Sequence, residues 1–269
     1  MSVSATKMPT LFISHGGPNI VIDDIAARHY LEGLSGLFPR PKAIVIMSAH
    51  FEADGVVVVS DPKPEMIYDF GGFAPELYEM QYPAPGDPDL AGRVVGLLGE
   101  AGLEPSTVGK RGYDHGVWTP LKLAFPEADI PVVQVSIDPH RDAAWHYRAG
   151  AALAPLRDDG VLLIGSGHIT HNLRAYFGAA RLGRSVDPEM PQKVKAFTDW
   201  FAQRFAAGDR QAILDWKEKA PYPADNHPTD EHLMPLFFAY GAAGEGAHAE
   251  RTHDSVEQGF FAYDSWLFQ

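Results

Sequence analysis

Short hydrophobic runs alternate along this chain with longer stretches in which apolar positions recur every three or four residues. The runs are rich in β-branched side chains, and each one ends in serine. Runs of this length and composition favour strands that are buried on both faces of a sheet. The predicted strands cover residues 10–14, 43–48, 56–60, 131–136 and 161–166.

Helical periodicity fills the segments between and after these runs. Three helices are predicted to open at Asp-Pro or Thr-Pro pairs, because proline suits the first turn of a helix. They run from 87 to near 102, from 119 to about 125, and from 187 to just before 208. Strands that alternate with helices predict a single α/β domain over 1–269, with a central, mainly parallel or mixed sheet flanked by helices.

Two segments depart from this regular pattern. Residues 69–88 are rich in Gly, Pro and aromatic side chains, which predicts a long loop that forms the wall of a site. An apolar helical segment follows His227, and Pro235 falls inside it. Proline interrupts a helix interior, so we expect a short turn or kink near His232.

Composition excludes several classes of protein. The 269 residues carry a formal net charge of −13 with no block of Lys or Arg, so a nucleic-acid partner is not expected. There is no cysteine, which leaves His, Asp, Glu or backbone oxygen to hold any metal. No segment is apolar enough to predict a signal peptide or a membrane span, so the expected location is the cytoplasm. A homo-oligomer is compatible with this composition.

Histidines stand directly after three of the predicted strands. His15 follows the first strand, His50 the second, and His168 and His171 the last. Ligand crevices form at the carboxyl ends of strands in α/β sheets. A single histidine at such a position is usually structural, but three strand ends that share this feature favour a common site.

Two further clusters combine imidazole with carboxylate. Asp114 and His115 lie in a Gly-flanked turn, and the segment that follows His227 contains Asp230, Glu231 and His232. Acidic residues in a first helical turn also stabilise the helix dipole without any chemistry. Histidine with carboxylate suits zinc or non-haem iron. The chain has no H-E-x-x-H, G-x-S-x-G or P-loop motif, and Ser166 in "GSGH" is a weak nucleophile candidate.

Taken together, seven motifs in order resemble the class III extradiol ring-cleaving dioxygenases. The resemblance is to the branch of DOPA 4,5-dioxygenase-like proteins, which is related to the catalytic subunit of protocatechuate 4,5-dioxygenase. It covers essentially the whole chain from about residue 8. The motifs are "LFISHGGP", "VIMSAHF", "YDFGGFAPELYEMQYPAPG", "GYDHGVWTPL", "VVQVSID", "GSGHITHNLR" and "HPTDEHLMPL".

The resemblance implies one non-haem metal ion per chain, with Fe(II) as the active metal and Zn(II) as an alternative occupant. By position in the motifs, His15, His50 and His232 are the implied ligands. The protocatechuate branch has a glutamate as its third ligand, so Glu231, next to His232, is an alternative third ligand here.

The same motifs imply roles for the remaining histidines. His171 matches the fixed histidine of the "GSGxxxHNL" pattern and is the implied catalytic acid/base, and His115 is a second catalytic histidine that orients the substrate. An imidazole with a pKa of about 6.5 can take a proton from a catechol at neutral pH. His168, His227 and Asp114 are candidates for the metal or for positions behind its ligands.

The implied substrates are a small catechol, DOPA-like or another catecholic acid, and O₂. Tyr68, Phe70 and Tyr82 in the long loop are candidate substrate contacts, although each is equally compatible with anchoring the loop. Two other functions stay open from the residues alone. Three histidines also suit a zinc hydrolase that activates water, and the fold also suits a non-catalytic binding protein.

Overall fold

The hydrophobic runs form the centre of one sheet in the computed structural model, which describes residues 7–181 and 187–269. The first predicted strand matches the structure, and the others differ by one to four residues at their ends. The strands are β1 (Thr10–Ser14), β2 (Ala43–Glu52), β3 (Val57–Val59), β4 (Ser106–Val108), β5 (Val132–Ile137), β6 (Val161–Gly167), β7 (Ala249–His253), β8 (Val256–Glu257), β9 (Phe261–Ala262) and β10 (Ser265–Phe268).

Eight of these strands pair in the order β4-β3-β5-β2-β6-β1-β10-β7, and β8 and β9 form a separate hairpin. The central neighbours β5, β2, β6 and β1 run parallel, whereas β10 pairs antiparallel with β1, and β7 pairs antiparallel with β10. The carboxyl ends of β1, β2 and β6 therefore meet at one edge of the sheet. This is the single α/β domain with a mixed sheet that the alternating pattern predicts.

In the described part of the chain, ten α-helices pack around the sheet. They are α1 (Ala26–Gly33), α2 (Pro88–Glu100), α3 (His115–Ala124), α4 (Ala143–Leu153), α5 (Leu173–Arg181), α6 (Met190–Ala206), α7 (Arg210–Leu214), α8 (Trp216–Lys219), α9 (Pro223–Asn226) and α10 (Met234–Ala243). Short 3₁₀ turns cover Pro18–Val21, Leu34–Leu37, Pro75–Tyr78 and Ala154–Asp159. Within the described ranges, no helix has the length and apolar character needed to cross a bilayer.

The predicted starts of α2 and α6 are correct to within a turn, and the start of the third predicted helix differs for a clear reason. α3 begins at His115 rather than at Thr119, so Pro120 lies inside it. A proline at this position leaves the carbonyl of Gly116 without its helical donor. The Ser166 hydroxyl donates to that carbonyl instead, which satisfies it and ties α3 to β6. In the last segment, α10 starts after His232 and keeps Pro235 in its first turn, with the predicted turn before it.

The central strands are buried on both faces, as their continuous hydrophobic runs predict. Ile44 and Ile46 pack with α1 and α3, whereas Val45 and Met47, on the opposite face, pack with α2, α4 and α10. Alternation of this kind requires apolar residues at every position of the strand, because both sides of the pleat face a core.

α10 is buried along its whole length and approaches its neighbours unusually closely. A Cβ atom on Gly165 would overlap the carbonyl oxygen of Pro235, and one on Gly167 would overlap that of His232. Gly150 of α4 has the same relation to the carbonyl of Phe238. Glycine at these positions lets the start of α10 lie directly against the carboxyl end of β6.

We predict that Gly165→Ala lowers the free energy of unfolding by about 1–3 kcal/mol, because the new methyl group collides with backbone that cannot rotate away. The measurement is urea-induced unfolding. Gly96→Ala is the matched control, since Gly96 lies in the exposed part of α2 with open space around it. That substitution should stabilise the protein by about 0.5–1 kcal/mol. Equal stability of the two variants would contradict the close approach.

One buried histidine, His146, makes the free energy of unfolding depend on pH. His146 accepts from the backbone N–H of Asp138 and donates Nδ1–H to the carbonyl of Asp142, and burial lowers its pKa from 6.5 to about 4. Between pH 6.5 and about 4, His146 is therefore protonated in the unfolded chain and neutral in the folded protein. The stability contributed by neutral His146 is present above pH 6.5 and is lost as pH falls towards 4.

We predict that the destabilisation of wild type between pH 7.5 and pH 5.0 exceeds that of His146→Asn by about 2 kcal/mol, because each pKa unit corresponds to about 1.4 kcal/mol. Urea unfolding of both proteins at the two pH values gives the difference. A difference near zero would mean that His146 titrates normally in the folded protein.

Candidate active site

Six of the histidines singled out in the sequence line one cavity of about 520 Å³ at the carboxyl edge of the sheet. They are His15, His50, His115, His168, His171 and His232. His15 comes directly after β1, and His168 directly after β6, as predicted. His50 differs, because β2 continues to Glu52 and contains it. The pairing of β2 with β5 is irregular between Met47 and Glu52, and His50 lies in that irregular part.

Three of these side chains point their Nε2 atoms at one another. The Nε2 atom of His50 lies 3.1 Å from that of His15 and 3.3 Å from that of His232. The three residues form a group whose candidate ligand atoms all lie within 4.8 Å of one another. His15 and His232 are buried, and His50 is half-buried on the cavity side.

Hydrogen bonds on the far side of two rings decide which nitrogen carries the proton. Ser166 gives its only hydrogen to the carbonyl of Gly116, so its oxygen accepts from Nδ1–H of His15, 2.9 Å away. Glu231 Oε1, 3.0 Å from Nδ1 of His232, can only accept when ionised. Nδ1 is thus protonated in both rings, and each Nε2 presents a lone pair to the cavity.

A carboxylate of the long loop has the same effect on the tautomer of His50. Its Nδ1 atom faces Oδ2 of Asp69 at 3.4 Å, too long for a good hydrogen bond, but the negative charge of the carboxylate favours the ring proton on Nδ1 and the lone pair on Nε2. Three lone pairs therefore converge with no proton between them. A cation is the group that relieves this repulsion, so the donor set fits a metal ion.

The distances support the same fit. Two nitrogens that are each about 2.1 Å from one ion, at tetrahedral to right angles, are roughly 3.0–3.4 Å apart. The two Nε2 separations, 3.1 and 3.3 Å, fall in this range. Burial also lowers the pKa of all three imidazoles, that of His50 to about 3, so the rings are neutral at pH 7 and able to ligate.

Asp69 holds the fourth histidine. Its Oδ1 atom accepts from Nδ1 of His115 at 2.9 Å and from the backbone N–H of the same residue at 3.0 Å. Burial alone would raise the pKa of Asp69, but the hydrogen bonds from His115 lower it to about 2, so the carboxylate is ionised at neutral pH. His115 therefore carries its proton on Nδ1 and presents Nε2 as an acceptor.

His171 stacks on His232, with ring centroids 3.4 Å apart and planes 12° from parallel. Its backbone N–H donates to the carbonyl of Asn226, and its Nδ1 atom lies 3.6 Å from Oε1 of Glu231. Glu231 thus faces the Nδ1 atoms of both rings. The Oε1 atom lies on the opposite side of His232 from Nε2, which suits a residue that orients ligands more than a ligand.

Two other candidates lie behind the cavity. Asp114 is buried and accepts from Ser48, Arg111 and Gln134, so it braces the turn before α3. His227 is buried as well and directs Nε2 at the carbonyl of Ile169. Neither side chain lines the cavity. His168 does line it, and its Nδ1 atom is buried without a hydrogen-bond partner.

Of the three loop aromatics predicted to contact substrate, only Phe70 lines the cavity. Tyr82 packs in the hydrophobic core, and Tyr68 donates its hydroxyl to the carbonyl of Met80. Both tyrosines anchor the loop. The loop forms a cavity wall as predicted, through Asp69, Phe70, Gly71 and Phe73.

Sequence reasoning missed Asp69 and the true role of Ser166. Asp69 stands in a loop with no periodicity, and nothing in the spacing connects it to His115, which lies 46 positions later. Ser166, a weak nucleophile candidate by its sequence, accepts a hydrogen bond from His15 and orients that ring. An acidic residue at the start of "DFGG", before an irregular aromatic loop, was the one available signal for Asp69.

Comparison with known proteins identifies the class. The family described as the catalytic LigB subunit of aromatic ring-opening dioxygenase matches residues 12–263, and the chain belongs to this family. The 4,5-DOPA dioxygenase extradiol of Beta vulgaris is 43% identical over 263 residues, 96% of each chain. The protein of the same name from Escherichia coli (strain K12) is 39% identical over 247 residues, covering 89% of this chain and 87% of the relative.

A solved structure has the same fold. The crystal structure of uncharacterized protein JW3007 from Escherichia coli K12 superimposes with a TM-score of 0.77 at 31% identity, covering 97% of this chain and 100% of that one. The expected class is thereby confirmed: the chain is an extradiol aromatic ring-cleaving dioxygenase. These relatives favour neither the zinc hydrolase nor the non-catalytic alternative.

We predict that Asp69→Asn lowers the kcat/KM of ring cleavage by about 10- to 100-fold, because it weakens the bond that orients His115 and removes a negative charge behind His50. Oxygen uptake with a catechol, normalised to bound metal, is the measurement. Glu79→Gln removes a charge from an exposed position of the same loop and should change kcat/KM less than twofold. Equal activity of the two variants would remove Asp69 from the site.

Proposed function

We propose that this chain cleaves the aromatic ring of a DOPA-type catechol at a non-haem Fe(II) ion held by His15, His50 and His232. The observation that carries the proposal is the convergence of three unprotonated Nε2 atoms in a chain of the ring-opening family. When bound, Fe(II) supplies open coordination positions and electron density for catechol and O₂. Zn(II) suits the same three nitrogens and is a competing occupant.

The residues behind the ligands keep this donor set fixed. Ser166 and Glu231 each accept a hydrogen bond from the Nδ1–H of one ligand, and the carboxylate of Asp69 faces Nδ1 of the third, so none of the rings has to rotate or change tautomer when a metal binds. Partners of this kind orient metal ligands and raise their basicity. A histidine as the third ligand, rather than Glu231, is supported by the bond that already occupies Oε1 of the glutamate.

We assign the acid/base role to His171. The ring stacks on His232 and lines the cavity, so it is next to the proposed ligands. A catechol must lose a proton before its oxygens become good donors, and the ring-opening steps later require a proton back. One imidazole can serve both steps, because its ring nitrogen can first accept a proton and later return it.

His115 has a different task. Asp69 fixes its proton on Nδ1, which leaves Nε2 as a hydrogen-bond acceptor on the cavity side. An acceptor there can receive a catechol O–H and hold the ring in position against His50, whose imidazole lies 4.0 Å away between centroids. His115 therefore orients the substrate, whereas His171 moves the proton.

The aromatic walls support a flat ring as substrate. Phe70 and Phe73 of the long loop, Tyr176 and Phe177 of α5, and Phe261 line the cavity together with the histidines. Aromatic faces of this kind contact a planar ring through edge or offset stacking. Relatives named for 4,5 cleavage of DOPA support the same bond in this chain. A cytoplasmic location and a homo-oligomeric state stay predictions.

The test is anaerobic reconstitution with Fe(II), followed by oxygen uptake and absorbance with DOPA, caffeate, protocatechuate and homoprotocatechuate. We expect one Fe(II) per chain and a ring-opened product formed with one O₂. Removal of the metal with a chelator should abolish turnover, and Fe(II) should restore it. His171→Ala should keep its iron and lose about 10²–10⁴-fold in kcat, the usual size of an acid/base contribution.

Matched variants separate the roles. His232→Ala should lose the iron itself, whereas His140→Ala, which alters an imidazole that is 78% exposed outside the cavity, should behave like wild type. Loss of iron from His171→Ala would move that residue into the ligand set. Absence of oxygen uptake with every catechol, at one iron per chain, would overturn the proposed reaction.

A further inference from the structure

Among the described residues, carboxylates are the only side chains that bring a fixed charge to the cavity wall. Apart from histidines, the titratable side chains that line the cavity in the described ranges include Asp23, Asp69 and Glu257, and neither Lys nor Arg. Asp69 already accepts a hydrogen bond from His115. Asp23 and Glu257 therefore remain to meet the part of a substrate that extends beyond its catechol ring.

These two carboxylates come from separate parts of the chain. Asp23 follows the 3₁₀ turn Pro18–Val21, and Glu257 ends β8. Both are half-buried, and neither forms an ion pair with any residue in the part of the chain that the structure describes. Asn19 donates to Asp23, which holds that carboxylate at the cavity.

Tyr263 connects the two carboxylates with the histidines. Tyr263 lines the cavity together with Glu257 and Asp23, and burial, followed by the charges of these two carboxylates, raises the pKa of Tyr263 to about 12. The same ring lies 4.8 Å from that of His168 and packs against Gly16, next to His15. One continuous wall thus runs from the histidines to Asp23 and Glu257.

A nearly buried imidazole stands on the same wall. His168 is 4% exposed and lines the cavity, and its ring lies beside that of Tyr263. It adds a polar side chain to the wall that carries Asp23 and Glu257, so this end of the cavity suits a polar substituent better than an apolar one.

The rest of the wall suits a cation as well. Phe73 and Phe177, 37% and 58% exposed, stand at the cavity with Tyr176 and Phe261. Aromatic faces attract ammonium groups, and carboxylates bind them through charge-assisted hydrogen bonds. A substrate carboxylate at this wall would meet two like charges and no Lys or Arg among the described lining residues, which is unfavourable by the same electrostatics.

We propose that the cavity selects catechols whose side chain carries an ammonium group, through Asp23 and Glu257, over catechols whose only side-chain charge is a carboxylate. This inference rests on the proposed function for the position of the catechol ring. DOPA carries both an ammonium group and a carboxylate, so its cleavage alone does not show which of the two the protein recognises.

The experiment separates the two charges of DOPA. Full-length, Fe(II)-loaded protein is titrated anaerobically by calorimetry with dopamine, with 3-(3,4-dihydroxyphenyl)propionate and with uncharged 4-ethylcatechol, at low ionic strength. We expect a Kd for dopamine that is at least about 10-fold lower than that for the propionate, with 4-ethylcatechol between them. Oxygen uptake on readmission of air then gives kcat/KM for the same three compounds.

A double variant tests the two residues. In Asp23→Asn/Glu257→Gln, the ratio of the two Kd values should fall towards one. Asp24→Asn/Asp254→Asn removes the same number of charges from exposed neighbouring positions and should keep the wild-type ratio. Thermal melting of each variant checks that it is folded.

The outcomes are distinct. Equal or tighter binding of the propionate by wild type, or a ratio unchanged in the double variant, would overturn the inference. A ratio that falls equally in the control variant would also overturn it, because net charge would then be the cause. Absence of ring cleavage with DOPA as well as with all three compounds would contradict the proposed function, whereas the anaerobic Kd ratio would still decide the selectivity.

Discussion

The contact between the start of α10 and the end of β6 is the constraint on which the site depends. Gly165 and Gly167 have no side chains, so the carbonyls of Pro235 and His232 lie against the strand. The backbone N–H of His168 then donates to the carbonyl of His232 at 2.8 Å. This contact brings a residue from late in the chain to the edge where β1 and β2 present His15 and His50. A larger residue in the strand would push the third imidazole away.

The second layer of the site gives these imidazoles a single chemical form. Ser166, Asp69 and Glu231 come from a strand, a loop and a turn. Ser166 and Glu231 each accept a hydrogen bond from an Nδ1–H, and Asp69 faces the Nδ1 atom of His50. Ser166 can do so because Pro120 leaves the carbonyl of Gly116 free to take the hydroxyl hydrogen. A proline inside α3 thus determines the tautomer of a histidine on another element. Preorganisation of this kind means that the protein does not have to rearrange to bind a metal.

The same residues shape the electrostatics of the cavity. Carboxylates stand behind the histidines and again at the outer wall, while the imidazoles themselves are neutral because burial lowers the pKa of His15, His50 and His232. Negative charge on both sides favours a bound cation at the centre and a cationic substituent at the wall. The acidic composition of the chain, −13 overall, does not by itself place any charge in the cavity.

The sequence by itself determined the buried strands, the α/β class, and the histidines at the ends of β1 and β6, because hydrophobic periodicity and position relative to a strand are local properties. Motif resemblance added the roles of these and other histidines, namely His15, His50 and His232 as ligands and His171 and His115 in catalysis. Only the tertiary structure decided that Asp69 holds His115, that Ser166 orients His15, and that Asp23 and Glu257 share a wall. It also decided that Tyr68 and Tyr82 anchor the loop. Contacts between residues far apart in sequence depend on how strands, helices and loops pack, and no local pattern records that packing.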